Sequence, residues 1–442
     1  MLRQIGTCDK NRKDVIKIQD AAFPAAFHAG LEFNAPVHGT WNIVHIGMQL
    51  PESIQIYVCA QNCMRGVVLT AAEMNAADRF SYVILSEKDM VAGDVEEITI
   101  RGVIDVLQKR QQLPRAVLLF TVCAHHFLGC DYNRIYRELE QRFPQIDFVR
   151  CYMDPIMQKQ GLTPDQKLRR AVLEKLRECP KQTGKLAILG SDFAYDTDCG
   201  VFGALRQAGC GIVQSRTCTT YAQFLQMAQA EVFVCVYPPA LVGARQVADR
   251  LERTFFYLPA SFDYELIEQQ AKTLGSYFGA STENIKAEKE AAEEALQQAA
   301  SLIGSTPVAI DYTVHPRTLG LARLLLSHGF SVDTIYIDSI NKEEEADFAW
   351  LKEHAPELVL SATIQVQKRI AKRGRDKKVL ALGQKAAWFE DTPWFVNLVS
   401  GGNLYGYPGI RELAELMMDA FLQPKDTRDI VPRKGWGCES CL

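Results

Sequence analysis

Leu118-Leu119-Phe120-Thr121-Val122-Cys123-Ala124-His125-His126-Phe127-Leu128-Gly129-Cys130-Asp131 runs from an apolar stretch straight into a turn that opens on a cysteine. The apolar part predicts a strand over Ala116 to Val122, with Cys123 at its carboxyl end. Open α/β sheets place their ligands outside that end of their strands. An earlier strand of the same kind, Gln55 to Cys59, ends on one thiol and is followed by a second, Cys63.

Working outward, short β-branched or apolar runs alternate with helical patterns along the whole chain, the signature of parallel sheets with crossover helices. Further strands are expected at Ser81 to Leu85 and Asp147 to Arg150. Helices are expected at about Gly66 to Asp78 and Val95 to Gln111, and a helix start at Thr163-Pro164-Asp165. A second unit opens with Lys185-Leu186-Ala187-Ile188-Leu189-Gly190, with later strands at Gly211 to Gln214, Glu231 to Val236 and Thr254 to Leu258. The stretch Ser281 to Ala300, rich in Glu, Ala and Lys, reads as a solvated connecting helix. A third unit opens at Thr306-Pro307-Val308-Ala309-Ile310-Asp311. Its remaining strands are expected at Ser331 to Ile337, Leu358 to Ser361 and Lys378 to Leu382, and its closing helix at Gly409 to Leu422. The expected division is 1–180, 181–304 and 305–425, with a C-terminal tail over 426–442. The fold class is α/β, with three Rossmann-like domains built on parallel sheets.

Bulk properties narrow the function. The 442 residues are 48% apolar and 23% charged, as in a globular protein. A net charge of -4 supplies no basic excess for nucleic acid. No apolar run reaches the roughly 18 residues of a membrane span, and Met1 to Lys10 lacks a signal-peptide core. A cytoplasmic location is expected, where thirteen cysteines stay reduced. Their odd number and scattered spacing fit a disulfide framework poorly.

Thiolates are soft, electron-rich ligands, the kind that hold iron–sulfur clusters. Cys59-Ala60-Gln61-Asn62-Cys63 leaves a strand and enters a helix whose amino end favours an anionic ligand set. A CxxxC pair is also compatible with two buried thiols. Three segments follow one another in order: Ala35-Pro36-Val37-His38-Gly39-Thr40-Trp41, the Cys63 turn, and the Cys123 to Asp131 run. Together they resemble the component 1 family of nitrogenase and nitrogenase-like oxidoreductases. That family includes the molybdenum-iron protein chains and their cofactor-assembly homologues. It also includes the protochlorophyllide reductase subunits and the nickel-sirohydrochlorin reductive cyclase.

The resemblance implies cluster cysteines at Cys63 and Cys123, and places His38 where the family has its first cysteine. Cys59, or Cys8 from the N-terminal arm, is an alternative source of the missing thiolate. The implied cofactor is a 4Fe-4S or larger P-cluster-like iron–sulfur cluster, held by Cys59, Cys63, Cys123 and His38 near a subunit interface. Tyr405, within Ser400-Gly401-Gly402-Asn403-Leu404-Tyr405-Gly406, replaces the histidine that holds the large nitrogenase cofactor. Tyr237 best matches the cofactor cysteine, with Cys235 two residues earlier and read as a buried strand residue. Tyr237 and Tyr405 are expected to line a substrate pocket, and dinitrogen is not the expected substrate. Cys438 and Cys441 form a CxxC at the C-terminus that holds metal, acts as a dithiol or is a solvated tail.

No Gly-x-x-x-x-Gly-Lys-[Ser/Thr] run is present, so ATP hydrolysis is expected in a separate iron protein. The implied activity is the catalytic component of a two-component, ATP-dependent reductase from an anaerobe, acting on a small molecule. A homodimer or a heterodimer with a related chain is implied. The alternatives are a scaffold that assembles or transfers a metal cluster, and a ligand sensor that kept the fold.

Overall fold

The computed structural model describes residues 13–28, 30–37, 43–153 and 161–431. The chain forms two compact units, one comprising Trp41–Ala194 and Gly209–Pro259, the other Tyr195–Ala208, Ala260–Pro432 and the N-terminal segment.

The N-terminal segment contributes β1, Val15–Lys17. The first sheet follows, from β2 (Ser53–Cys59), β3 (Phe80–Ile84), β4 (Ala116–Val122) and β5 (Asp147–Met153). Its order is β3-β2-β4-β5 and every pairing is parallel. All seven residues of β2 and all seven of β4 are buried; β4 therefore reads as a nearly continuous apolar run, whereas β2 also buries Ser53 and Gln55, which donate to the Leu50 and Val44 carbonyls.

The second sheet consists of β6 (Gln182–Leu189), β7 (Gly211–Gln214), β8 (Ala230–Cys235) and β9 (Thr254–Tyr257). It repeats the same parallel order as β7-β6-β8-β9. Between the sheets runs the helix Pro164–Leu173, started by Thr163: its hydroxyl accepts the Gln166 N–H, and Gln166 Oε1 accepts the Thr163 N–H. One apolar core joins residues of both sheets, among them Tyr57, Phe120, Leu173, Leu189 and Phe233.

The other unit is built on a six-stranded sheet. Its strands are β10 (Pro307–Asp311), β11 (Ser331–Tyr336), β12 (Val359–Ser361), β13 (Leu380–Leu382) and β14 (Phe395–Val396), with β1 at the edge. The order is β1-β12-β11-β10-β13-β14. β1 runs antiparallel to β12, pairing Val15 with Ser361, so the N-terminal segment joins this sheet and not the first one. That corrects the expected 1–180 grouping. Lys368 and Asp14, both buried, hold the arm by an ion pair at 3.2 Å. The helices Tyr264–Phe278 and Asn284–Ile303, expected with the middle domain, also belong to this unit. Among the described residues, no helix is long and apolar enough to cross a membrane.

Candidate metal centre at a strand switch point

In the two four-stranded sheets, and in the parallel part of the third from β10 onward, the chain begins on an inner strand, places the next strands on one side, then crosses to the other side. The crevice at that reversal is where open sheets bind ligands. Three such points exist among the described residues, and two are filled by buried charged side chains.

Between β6 and β8, Arg169 is buried with its guanidinium 2.7 Å from Asp192 and 2.6 Å from Asp165. It also covers the Tyr237 ring at 4.8 Å and donates to the Gly190 carbonyl at 2.8 Å. Between β10 and β13, the buried Asp311 accepts the Thr313 N–H at 2.7 Å and the Ala386 N–H at 2.6 Å. Gly383, at φ +104°, packs so close that a Cβ there would lie 2.4 Å from Asp311.

The third reversal, between β2 and β4, carries thiols. Tyr57 pairs with Phe120 as the last partnered residues of β2 and β4, and the strands run on to Cys59 and Val122. Cys63 follows β2 in the first turn of the helix Gln61–Glu73, its N–H bonded to the Ala60 carbonyl at 2.9 Å. Cys123 follows β4 as the first residue of the short helix Cys123–Phe127. Cys63 is exposed and Cys123 half-buried, so both lie at the edge rather than in a core.

Cys59 differs. It is fully buried in the core, with its sulfur packed against Met64 Sδ. Burial, with the neighbouring Cys63 second, pushes its pKa up to about 12. A thiol held this way is a poor thiolate donor. Among the described residues, no group of three His, Cys, Asp or Glu side chains is arranged to hold a metal ion. His38, Cys8, Cys438 and Cys441 lie outside the described residues.

His125, fully buried, supports the Cys123 turn. The Val122 N–H points to its Nδ1 at 3.3 Å, so that nitrogen accepts. Nε2 then carries the proton and donates to Thr99 Oγ1 at 3.0 Å. Thr99 can accept because its own hydroxyl donates to the Val95 carbonyl at 2.7 Å. Burial lowers the His125 pKa to about 4. His126 is exposed, and its ring lies 6.3 Å from that of Phe127.

Tyr405 precedes the helix Gly406–Leu422. Its ring stacks on Phe202 at 5.2 Å and meets Tyr195 edge-on at 5.6 Å, and its hydroxyl donates to Gln270 Oε1 at 3.3 Å. Enclosure of that hydroxyl pushes its pKa up. Beside it is a cavity of about 20 Å³, also lined by Glu288 and Tyr407, with room for one water. Tyr237 lies in the other unit, beneath Arg169, and the buried Cys235 thiol donates to its carbonyl at 3.4 Å.

The family described as nitrogenase component 1 type oxidoreductase matches residues 44–422, most of the chain. The chain belongs to that family. No curated protein matches it. Among solved structures, a nitrogenase Cp1 chain at pH 6.5 superposes with a TM-score of 0.65 at 12% identity, over 90% of this chain and 95% of that one. A nitrogenase Cp1 chain at pH 5 gives 0.54 at 9% identity, covering 92% and 93%. Those likenesses show the α/β fold of component 1 chains; the family match makes this an oxidoreductase and implies iron–sulfur clusters.

The donor set at the β2–β4 reversal fits such a cluster in part. Cys63 and Cys123 offer accessible sulfur from adjacent strands, whereas Cys59 is committed to the core. Sequence reasoning missed the Thr99 partner of His125, because nothing local links residues 26 apart. It also missed that Arg169 fills the middle switch point.

Proposed function

We propose that this chain is the catalytic component of a two-component, ATP-dependent reductase. A separate ATP-hydrolysing iron protein supplies electrons, and a small molecule other than dinitrogen is reduced. The observation that carries this reading is the pair Cys63 and Cys123 at a strand reversal where, among the described residues, no buried charged side chain like Arg169 or Asp311 sits. Bound there, an iron–sulfur cluster would supply single-electron transfer at low potential. Two accessible thiols are fewer than the four ligands a 4Fe-4S cluster takes, which favours completion by His38 or by a second chain.

Exposed apolar side chains support a subunit interface beside the thiols. Ile84 pairs with Cys59 across the sheet and is 46% exposed; Phe127 and Leu128, just past Cys123, are 67% and 47% exposed. The dimer is homomeric or formed with a related chain. The protein is expected in the cytoplasm of an anaerobe, with Cys438 and Cys441 available to hold metal or act as a dithiol.

Tyr405 argues against dinitrogen. Its phenol is enclosed, bonded to Gln270 and pushed toward the protonated form, so it does not replace an imidazole as a metal ligand. The same feature suits the alternative, a scaffold that assembles or transfers a cluster. Anaerobic assays with an iron protein, ATP and a panel of tetrapyrrole and sulfur substrates separate the two. ATP-dependent substrate loss supports the reductase; iron transfer to an apo-acceptor without turnover supports the scaffold.

A further inference from the structure

We infer that His125 is a positioning residue for the Cys123 ligand, closing the strand-to-helix turn as an uncharged cap. The inference rests on the reading of Cys123 as an iron ligand and adds the residue that holds it in place.

The helix Cys123–Phe127 follows β4 with no loop between them. Its N-cap is Val122, whose side chain has no polar atom to offer the free N–H groups of the first turn. In a capping box the third helical residue, ordinarily Glu or Gln, reaches back to the N-cap N–H. His125 is that third residue, and its Nδ1 takes the Val122 N–H. The closure spans Cys123 and Ala124, so the backbone that aims the Cys123 sulfur is fixed at both ends.

The ring cannot swing away, because Nε2–H is spent on Thr99 in the helix Val95–Gln108. Tyr132 lies nearly parallel to the ring at 6.4 Å. Beyond the turn, the Cys130 N–H returns to the His125 carbonyl at 3.0 Å. Side chain and main chain of one residue therefore tie β4, the short helix and the Val95–Gln108 helix together.

The choice of residue matters chemically. A Glu would make the same cap bond but place a carboxylate beside anionic sulfur, where like charges disfavour one another. Imidazole with one nitrogen accepting and one donating makes both bonds without a charge.

The test compares full-length wild type, Cys123→Ala, His125→Gln, His125→Leu and Thr99→Val, all purified anaerobically. Iron and sulfide per chain, the EPR spectrum of the reduced protein and circular dichroism are recorded. His125→Gln, which keeps a neutral cap, is expected to match wild type in iron and EPR. His125→Leu, folded by circular dichroism, is expected to lose at least half its iron or to give a shifted, broadened EPR signal. Thr99→Val is expected to broaden the signal less, and it tests the inference should the leucine variant fail to fold. Wild-type iron and EPR in both His125→Leu and Thr99→Val, with iron lost in Cys123→Ala, overturn the inference alone. Iron that does not depend on Cys123 overturns the underlying reading with it.

Discussion

The Cys59 sulfur packs against Met64 Sδ inside a closed core, while Cys63, four residues after it, is exposed. The two halves of one CxxxC pair thus have opposite surroundings. Cys59→Ala should destabilise the fold by about 1–2 kcal/mol through lost packing and leave bound iron unchanged. Urea melts paired with iron analysis check both halves, and loss of iron in a folded Cys59→Ala protein would restore it as a ligand.

The buried Arg169–Asp192 pair makes a stability prediction. With both side chains nearly inaccessible, Asp192→Asn leaves the guanidinium one carboxylate partner, Asp165, among the described residues and should cost about 3 kcal/mol or more. Equilibrium unfolding in urea measures it.

Glu344 sets a pH dependence. It is buried against the amino end of the helix Thr318–Ser327, accepting the Leu319 and Gly320 N–H groups at 2.7 and 3.1 Å. Burial is the main cause that lifts its pKa to about 7. The folded protein therefore holds a proton that the unfolded chain releases near the ordinary Glu value of about 4.3. Stability falls as pH rises between those values and levels above about 7, by roughly 3–4 kcal/mol in all. Glu344→Gln keeps the accepting oxygen and should flatten that slope; thermal melts at pH 5 and pH 8 read the difference.

Tyr405→Phe removes one hydroxyl and its bond to Gln270 while keeping the stacked ring. It should cost about 0.5–1.5 kcal/mol and leave iron content unchanged. Iron loss in this variant would show that the phenol oxygen, against its surroundings here, takes part in metal binding.

Much of the fold is legible in the sequence because buried parallel strands advertise themselves as continuous apolar runs. β4 occupies the expected residues, and β2, β6 and β10 differ only at their ends. β1 escaped because three residues, Val15–Lys17, gain their identity from Val359–Ser361, far along the chain. β14, two residues long, carries no periodicity at all. At the site, the strand-end positions of Cys63 and Cys123 were legible, but the burial of Cys59 was not. Spacing states which residues follow a strand and not which of them turns inward. His125 shows the same limit: its role depends on Thr99, which only the packing of a neighbouring helix supplies.

The reductase reading requires that sulfur from two strand ends hold iron. Iron and acid-labile sulfide measured after strictly anaerobic purification of wild type, Cys63→Ala and Cys123→Ala address it most directly. Iron and sulfide present in wild type and lost in both variants is the predicted result. Equal iron in all three proteins would contradict it.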